Sequence, residues 1–121
     1  METLQQFAAD DFCYLTTTGR VTGRPHTIEI WFAVEGNTLF MLAGGGERPD
    51  WVKNAAQTSE VDVRVRDVHF SGQVRRVTDP DEDVLARRIV VAKYQPRSGD
   101  ELNSWGRTSL PIAVDISGTK E

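Results

Sequence analysis

A mainly β protein is what this sequence predicts: an antiparallel barrel of about six strands with three helices packed outside it. Three observations carry that expectation. Apolar and polar residues alternate over short stretches such as Val61 to Arg66, the period of a half-buried strand. Turn residues separate those stretches by only a few positions, so the strands join by tight connections rather than the long crossovers of a parallel sheet. Helical spacing behind a capping signal occurs in only three places, at the start, after a glycine cluster and before the last strand.

Thr3, as N-cap, precedes Leu4, Phe7 and Ala8, which predicts a short helix from about Thr3 to Asp10 whose apolar face lids the core. Phe12 to Thr18, aromatic and β-branched, reads as a strand. Gly19 to Pro25 ends it as a turn, because the two glycines accept positive φ and Pro25 keeps Arg24 out of the α region. From Thr27 to Val34, Ile28, Ile30, Phe32 and Val34 share one face of a single strand, with Thr27, Glu29, Trp31 and Ala33 on the other. Gly36-Asn37 marks a hairpin. Thr38 to Ala43 is apolar on both faces and so a central strand.

Gly44 to Gly46 closes that strand. Pro49 and Asp50 suit the first turn of a helix running to about Gln57. Glu60 to Arg66 alternates with Val61, Val63 and Val65 inward, and Val68 to Val77 forms its hairpin partner, with Gly72 at a bulge. Asp79-Pro80 starts a helix with Asp81, Glu82 and Asp83 in its first turn and a stripe of Leu85, Ile89 and Ala92, ending near Tyr94. Pro96 to Gly99 is loop. Leu110 to Ile116, entered through Pro111, is the last strand.

A chain of 121 residues can bury about two thirds of its unfolded surface, so residues 1–121 are read as one domain. The net charge of -4 argues against a general nucleic-acid binder, which needs a basic face. Cys13 is the single cysteine; it has no disulfide partner and reads as a buried thiol. No run reaches the ~20 apolar residues of a membrane span, and no basic-then-apolar leader opens the chain. The expected location is cytoplasmic.

Nucleophile elbow, paired metal histidines and Walker loop are all missing, and His26 and His69 are the two histidines. The acidic run from Asp79 to Asp83 reads as helix capping rather than a cation site. No metal is expected. Binding groups without a nucleophile suit a protein whose cofactor carries the reactive atom. Arg20 and Arg24 flank a turn in which the Thr22 hydroxyl and Gly23 amide could join them around an anion; the alternative is an exposed basic turn with no ligand.

Leu-Thr-Thr-Thr-Gly-Arg-x-Thr-Gly-Arg-Pro (Leu15 to Pro25), the Gly44 to Gly46 cluster and Pro49-Asp50-Trp51-Val52-Lys53-Asn54 together resemble the deazaflavin-dependent nitroreductase and quinone reductase family. That family lies within the flavin-binding split β-barrels that include pyridoxamine 5'-phosphate oxidases. Similarity runs from about Phe12 to Val77, with a weaker echo at Ser109 to Val114. The resemblance implies a split barrel that binds coenzyme F420 and delivers its hydride to a small electron-poor acceptor: a quinone, nitro compound or conjugated enone. It implies cofactor contacts at Arg20, Val21, Thr22, Gly23 and Arg24, along the strand at His26, Ile30 and Trp31, beside the ring at Leu42, Ala43, Gly44 and Gly45, and at Asp50, Trp51 and Asn54. Tyr94 and Trp105 are expected either to line the substrate pocket or to pack. Trp51 either joins the site or fills the core.

Three departures bear on the cofactor. Val21 stands where members often carry lysine or arginine, Glu29 where many have proline, and the glycine loop is one residue shorter than in some. FMN is therefore the alternative cofactor, in an oxidoreductase of the same fold, and a non-enzymatic flavin-binding module is the third reading. A homodimer is expected, since a second subunit often covers the apolar face of such a barrel.

Overall fold

The computed structural model describes residues 3–120. Seven strands form one antiparallel sheet, curled into the predicted barrel: β1 (Cys13–Thr18), β2 (Pro25–Ile30), β3 (Ala33–Glu35), β4 (Thr38–Ala43), β5 (Glu60–Val65), β6 (Val68–Arg76) and β7 (Leu110–Lys120). Their order across the sheet is β2-β1-β5-β6-β7-β4-β3. Three α-helices flank it, α1 (Asp50–Gln57), α2 (Pro80–Tyr94) and α3 (Asn103–Thr108), with a 3-10 turn at Leu4–Phe7 before the first strand.

Alternation builds the interior as the pattern requires. Cys13, Leu15, Val61, Val63, Val65 and Phe70 point inward and are buried, and the 3-10 turn seals them with Leu4 and Phe7. β4 is paired at both edges by β7 and β3 and buried on both faces, Leu39 and Met41 in the barrel interior and Phe40 and Leu42 under α2. Burial pushes the Cys13 thiol up to about 12, so it stays protonated and inert. Gly36 supplies the positive φ of the β3–β4 hairpin. The bulge falls at Ser71/Gly72, where a Cβ on Gly72 would stand 2.6 Å from the Val114 side chain.

Four details differ from the sequence expectations. The stretch from Thr27 to Val34 is two strands, β2 and β3, broken at Trp31 and Phe32. The break is held from outside: the Phe32 N–H donates to the Tyr94 hydroxyl at 2.9 Å, and Lys93 Nζ donates to the Phe32 carbonyl at 2.8 Å. The opening helix is only the four-residue 3-10 turn. α2 buries Ala86, Val90 and Tyr94, with Leu85 and Ile89 beside them and Ala92 outside. α3 lies between the expected Pro96 to Gly99 loop and the last strand, where no element was expected, and is tied to α2 by Arg87, whose Nη1 donates to the carbonyls of Gly106, Arg107 and Ser109.

Asp79 caps α2 by accepting from the Glu82 N–H at 2.9 Å, which is the role expected of that acidic run. Glu82 and Asp115 then clamp Arg75, at 2.5 Å and 2.6 Å. Hydrogen bonds from Arg75 hold both carboxyls below their usual range. Their stabilisation is present above the unfolded carboxylate pKa of about 4 and is lost as pH falls through the lower folded values. Arg75→Met should therefore flatten the acid limb of a Tm-against-pH curve below about pH 4. An unchanged limb would refute the clamp's contribution.

Candidate functional site

One glycine-bearing turn follows β1 and one glycine loop follows β4, and α1, which the second leads into, holds the first. The first links β1 to β2. Gly19 N–H donates to the Arg24 carbonyl at 2.8 Å and Gly23 N–H to the Gly19 carbonyl at 2.9 Å, with Gly23 at φ 74°. Closing the turn this way leaves the Val21 and Thr22 amides without a backbone partner among the described residues. The Thr22 hydroxyl accepts from the Arg24 N–H at 3.2 Å, and its own proton remains available.

Asn54 of α1 fixes the turn to the barrel. Its side chain is 3% exposed, and its Oδ1 accepts from the Arg20 amide at 3.1 Å and from Arg20 Nη1 at 2.9 Å. Asp50, one turn earlier on the same helix face, accepts from Arg20 Nη2 at 3.2 Å. The guanidinium is thus pre-positioned at the wall of a cavity of about 210 Å³ lined by Gly19, Arg20, Val21, Thr22, His26, Asp50 and Asn54. His26 closes one side: a Cβ on Gly19 would lie 2.7 Å from its Nε2.

At the second loop the glycines answer to packing. A Cβ on Gly44 would meet Trp105 Nε1 at 3.0 Å, and one on Gly45 would meet the Pro49 ring at 2.9 Å. Behind Gly44, the buried Ser109 hydroxyl has no hydrogen-bond partner among the described residues. Trp105 and Trp31 pack edge to face at 5.8 Å, and Trp31 stacks flat on Tyr94 at 4.3 Å. Trp31 keeps 39% of its surface exposed, so this aromatic group presents an open indole face backed by a buried ring.

The predicted residues divide accordingly. Arg20, Val21, Thr22, His26, Asp50 and Asn54 line one cavity, with Gly23 and Arg24 in the same turn. Ile30 is half-buried against the core. Leu42 and Ala43 bury their side chains at the end of β4, leaving Gly44 and Gly45 as the open part of that segment. Trp51 points to the other side of α1. Tyr94 is 2% exposed and its hydroxyl is fully engaged with Phe32 and Asp11, so it supports the site from beneath. Burial and the hydrogen bond to Phe32 act oppositely on that hydroxyl; burial prevails and raises it to about 12. The Asn54–Arg20 bond joins residues 34 positions apart, and nothing in the spacing alone pairs them.

The Arg20 guanidinium, which Asp50 compensates only in part from an exposed position, the unpaired Val21 and Thr22 amides and the Thr22 hydroxyl are the donor types that an anionic group such as the tail of coenzyme F420 requires. Comparison with known proteins bears on the same point. The family model described as F420H(2)-dependent quinone reductase matches residues 2–117. An F420H(2)-dependent quinone reductase of Mycobacterium tuberculosis is 29% identical over 105 residues, spanning 84% of this chain and 69% of that protein. A solved structure described as an F420 reductase superposes with a TM-score of 0.70 at 16% identity, covering 99% of this chain and 98% of that one. Another, described as a domain-swapped dimer, gives 0.70 at 19% identity, over 87% and 80%. Those two likenesses establish the fold, and the family match extends over nearly the whole chain. The chain belongs to the F420H(2)-dependent quinone reductase family, and so is an oxidoreductase whose cofactor is coenzyme F420.

Proposed function

We propose that this protein, acting as one cytoplasmic domain, reduces a small electron-poor acceptor, a quinone, a nitro compound or a conjugated enone, between the Arg20 turn and the glycine loop that leads into α1. The observation that carries this is the Arg20 guanidinium, anchored by Asn54 beside the free Val21 and Thr22 amides. Bound there, the reduced cofactor supplies the hydride from its deazaflavin ring. Arg20, the two amides and the Thr22 hydroxyl hold its anionic tail, and the exposed Arg24 adds charge at the mouth. Gly44 and Gly45 offer bare backbone to the ring. Trp31 offers its open indole face to a flat acceptor, held in orientation by Tyr94 beneath and Trp105 at its edge. Trp31, where the acceptor lies, is itself 39% exposed, and solvent there supplies the proton that completes the reduction.

Titration of the protein with oxidised coenzyme F420 and, in parallel, with FMN tests this, with tryptophan fluorescence as the readout. Quenching by the deazaflavin at lower concentration than by FMN is the expected result. Replacing Arg20 and Arg24 together with alanine removes about two charge-assisted hydrogen bonds, which should weaken binding roughly 100-fold. Equal affinity in the double variant would overturn the placement of the tail.

Assembly as a homodimer belongs to the same proposal. Phe12 and Val84 are exposed at 40% and 65%, apolar surface that a second subunit would cover. Sedimentation at micromolar concentration should give a species of twice the chain mass; a monomer there would refute it.

A further inference from the structure

α1 separates two cavities. Asp50 and Asn54 face the Arg20 pocket, whereas Trp51, Val52, Ala55 and Ala56, on the opposite side of the helix, line a second cavity of about 480 Å³ closed by Val74 of β6 and Ile112 of β7. Its volume lies within the range of small-molecule sites, and its walls are aromatic and aliphatic. Nothing in the reductase chemistry described above uses it.

Charge at its rim narrows what it can accept. Arg76 is engaged by Glu47 of the glycine loop, and Arg75 by Glu82 and Asp115. Lys53, also at the rim, makes no ion pair among the described residues. One uncompensated cation therefore stands at the edge of an apolar slot. An apolar body released from water by those walls, bearing a single anionic group within reach of Lys53, satisfies both features.

We propose that this slot is a second small-molecule site, distinct from the cofactor pocket, for a compact aromatic or aliphatic molecule carrying one anionic group. Anilinonaphthalene sulfonate, a fused aromatic with one sulfonate, is the probe. Its fluorescence should rise saturably at one molecule per chain. Ala56→Trp, on an exposed position, fills the slot, and Lys53→Glu reverses the rim charge; each should weaken the dye roughly tenfold or more. Binding of oxidised coenzyme F420 should survive Ala56→Trp, because that side chain faces away from Arg20. The proposal stands only if both variants lose the dye. It falls if either keeps wild-type dye affinity, or if oxidised coenzyme F420 displaces the dye from the unmodified protein, which would make the slot part of the cofactor site.

Discussion

Asn54→Ala is expected to lower the unfolding free energy by about 2–3 kcal/mol and to abolish most cofactor affinity. The size follows from burial. Asn54 is 3% exposed, and its Oδ1 is the acceptor for both the Arg20 amide and Arg20 Nη1. Alanine leaves the amide with no acceptor in a partly buried position, and Thr17, 1% exposed, loses its neighbour as well. A loss of that size corresponds to a fall in Tm on the order of 10 °C for a chain of this length.

The functional effect has a separate origin. Without Asn54 the guanidinium is held only by Asp50, whose side chain is 84% exposed, so ordering Arg20 must occur on binding, which reduces affinity. Asn54→Asp separates the two effects. It keeps an acceptor for both Arg20 bonds, so Tm should fall less than in the alanine variant. Its carboxylate adds a second negative charge beside a guanidinium that Asp50 already pairs, so affinity for the anionic tail should fall as far or further. Thermal denaturation and a coenzyme F420 titration on both variants decide the matter; an aspartate variant that binds as wild type would show that the charge of Arg20 is not what holds the tail.

Local pattern made most of the barrel readable. Strict alternation from Val61 to Val65, the Gly36-Asn37 hairpin, the Gly72 bulge and the Asp79-Pro80 helix start are all written in adjacent residues, and the structure has each of them. What escaped depends on distant groups. Alternation continues unbroken from Ile28 to Val34, yet the strand breaks at Phe32 because α2 supplies a hydroxyl and an ammonium to its backbone. α3 has Gly106 in its interior, a residue that disfavours helix, and exists because Gly106 lets the helix approach Val91 and because Arg87 binds its last carbonyls. The residues of the Arg20 cavity were open to reading one by one and not as an arrangement. Arg20 and Asn54 were both identifiable; their bond was not. Trp51, adjacent in sequence to Asp50, serves the opposite side of α1.

Tyr94 is where the second large effect is expected, and two substitutions give different results. Tyr94→Phe removes a hydroxyl that accepts from the Phe32 N–H at 2.9 Å and shares its proton between the carbonyls of Asp11, at 2.7 Å, and Phe32, at 3.0 Å. The Phe32 carbonyl keeps Lys93, but the Phe32 N–H is left buried and unpaired, at a cost of about 1–3 kcal/mol. The phenyl ring still stacks under Trp31, so the indole keeps its place. Tyr94→Ala loses the hydroxyl and opens a cavity beneath Trp31 as well, a loss of about 3–5 kcal/mol. If Tyr94 acts by supporting Trp31, the KM for a quinone acceptor should stay near wild type in the phenylalanine variant despite its lower Tm, and rise in the alanine variant at temperatures where both are folded. A phenylalanine variant with intact fold and strongly reduced turnover would instead assign the hydroxyl a direct part in the reaction, which its burial and its three backbone partners argue against.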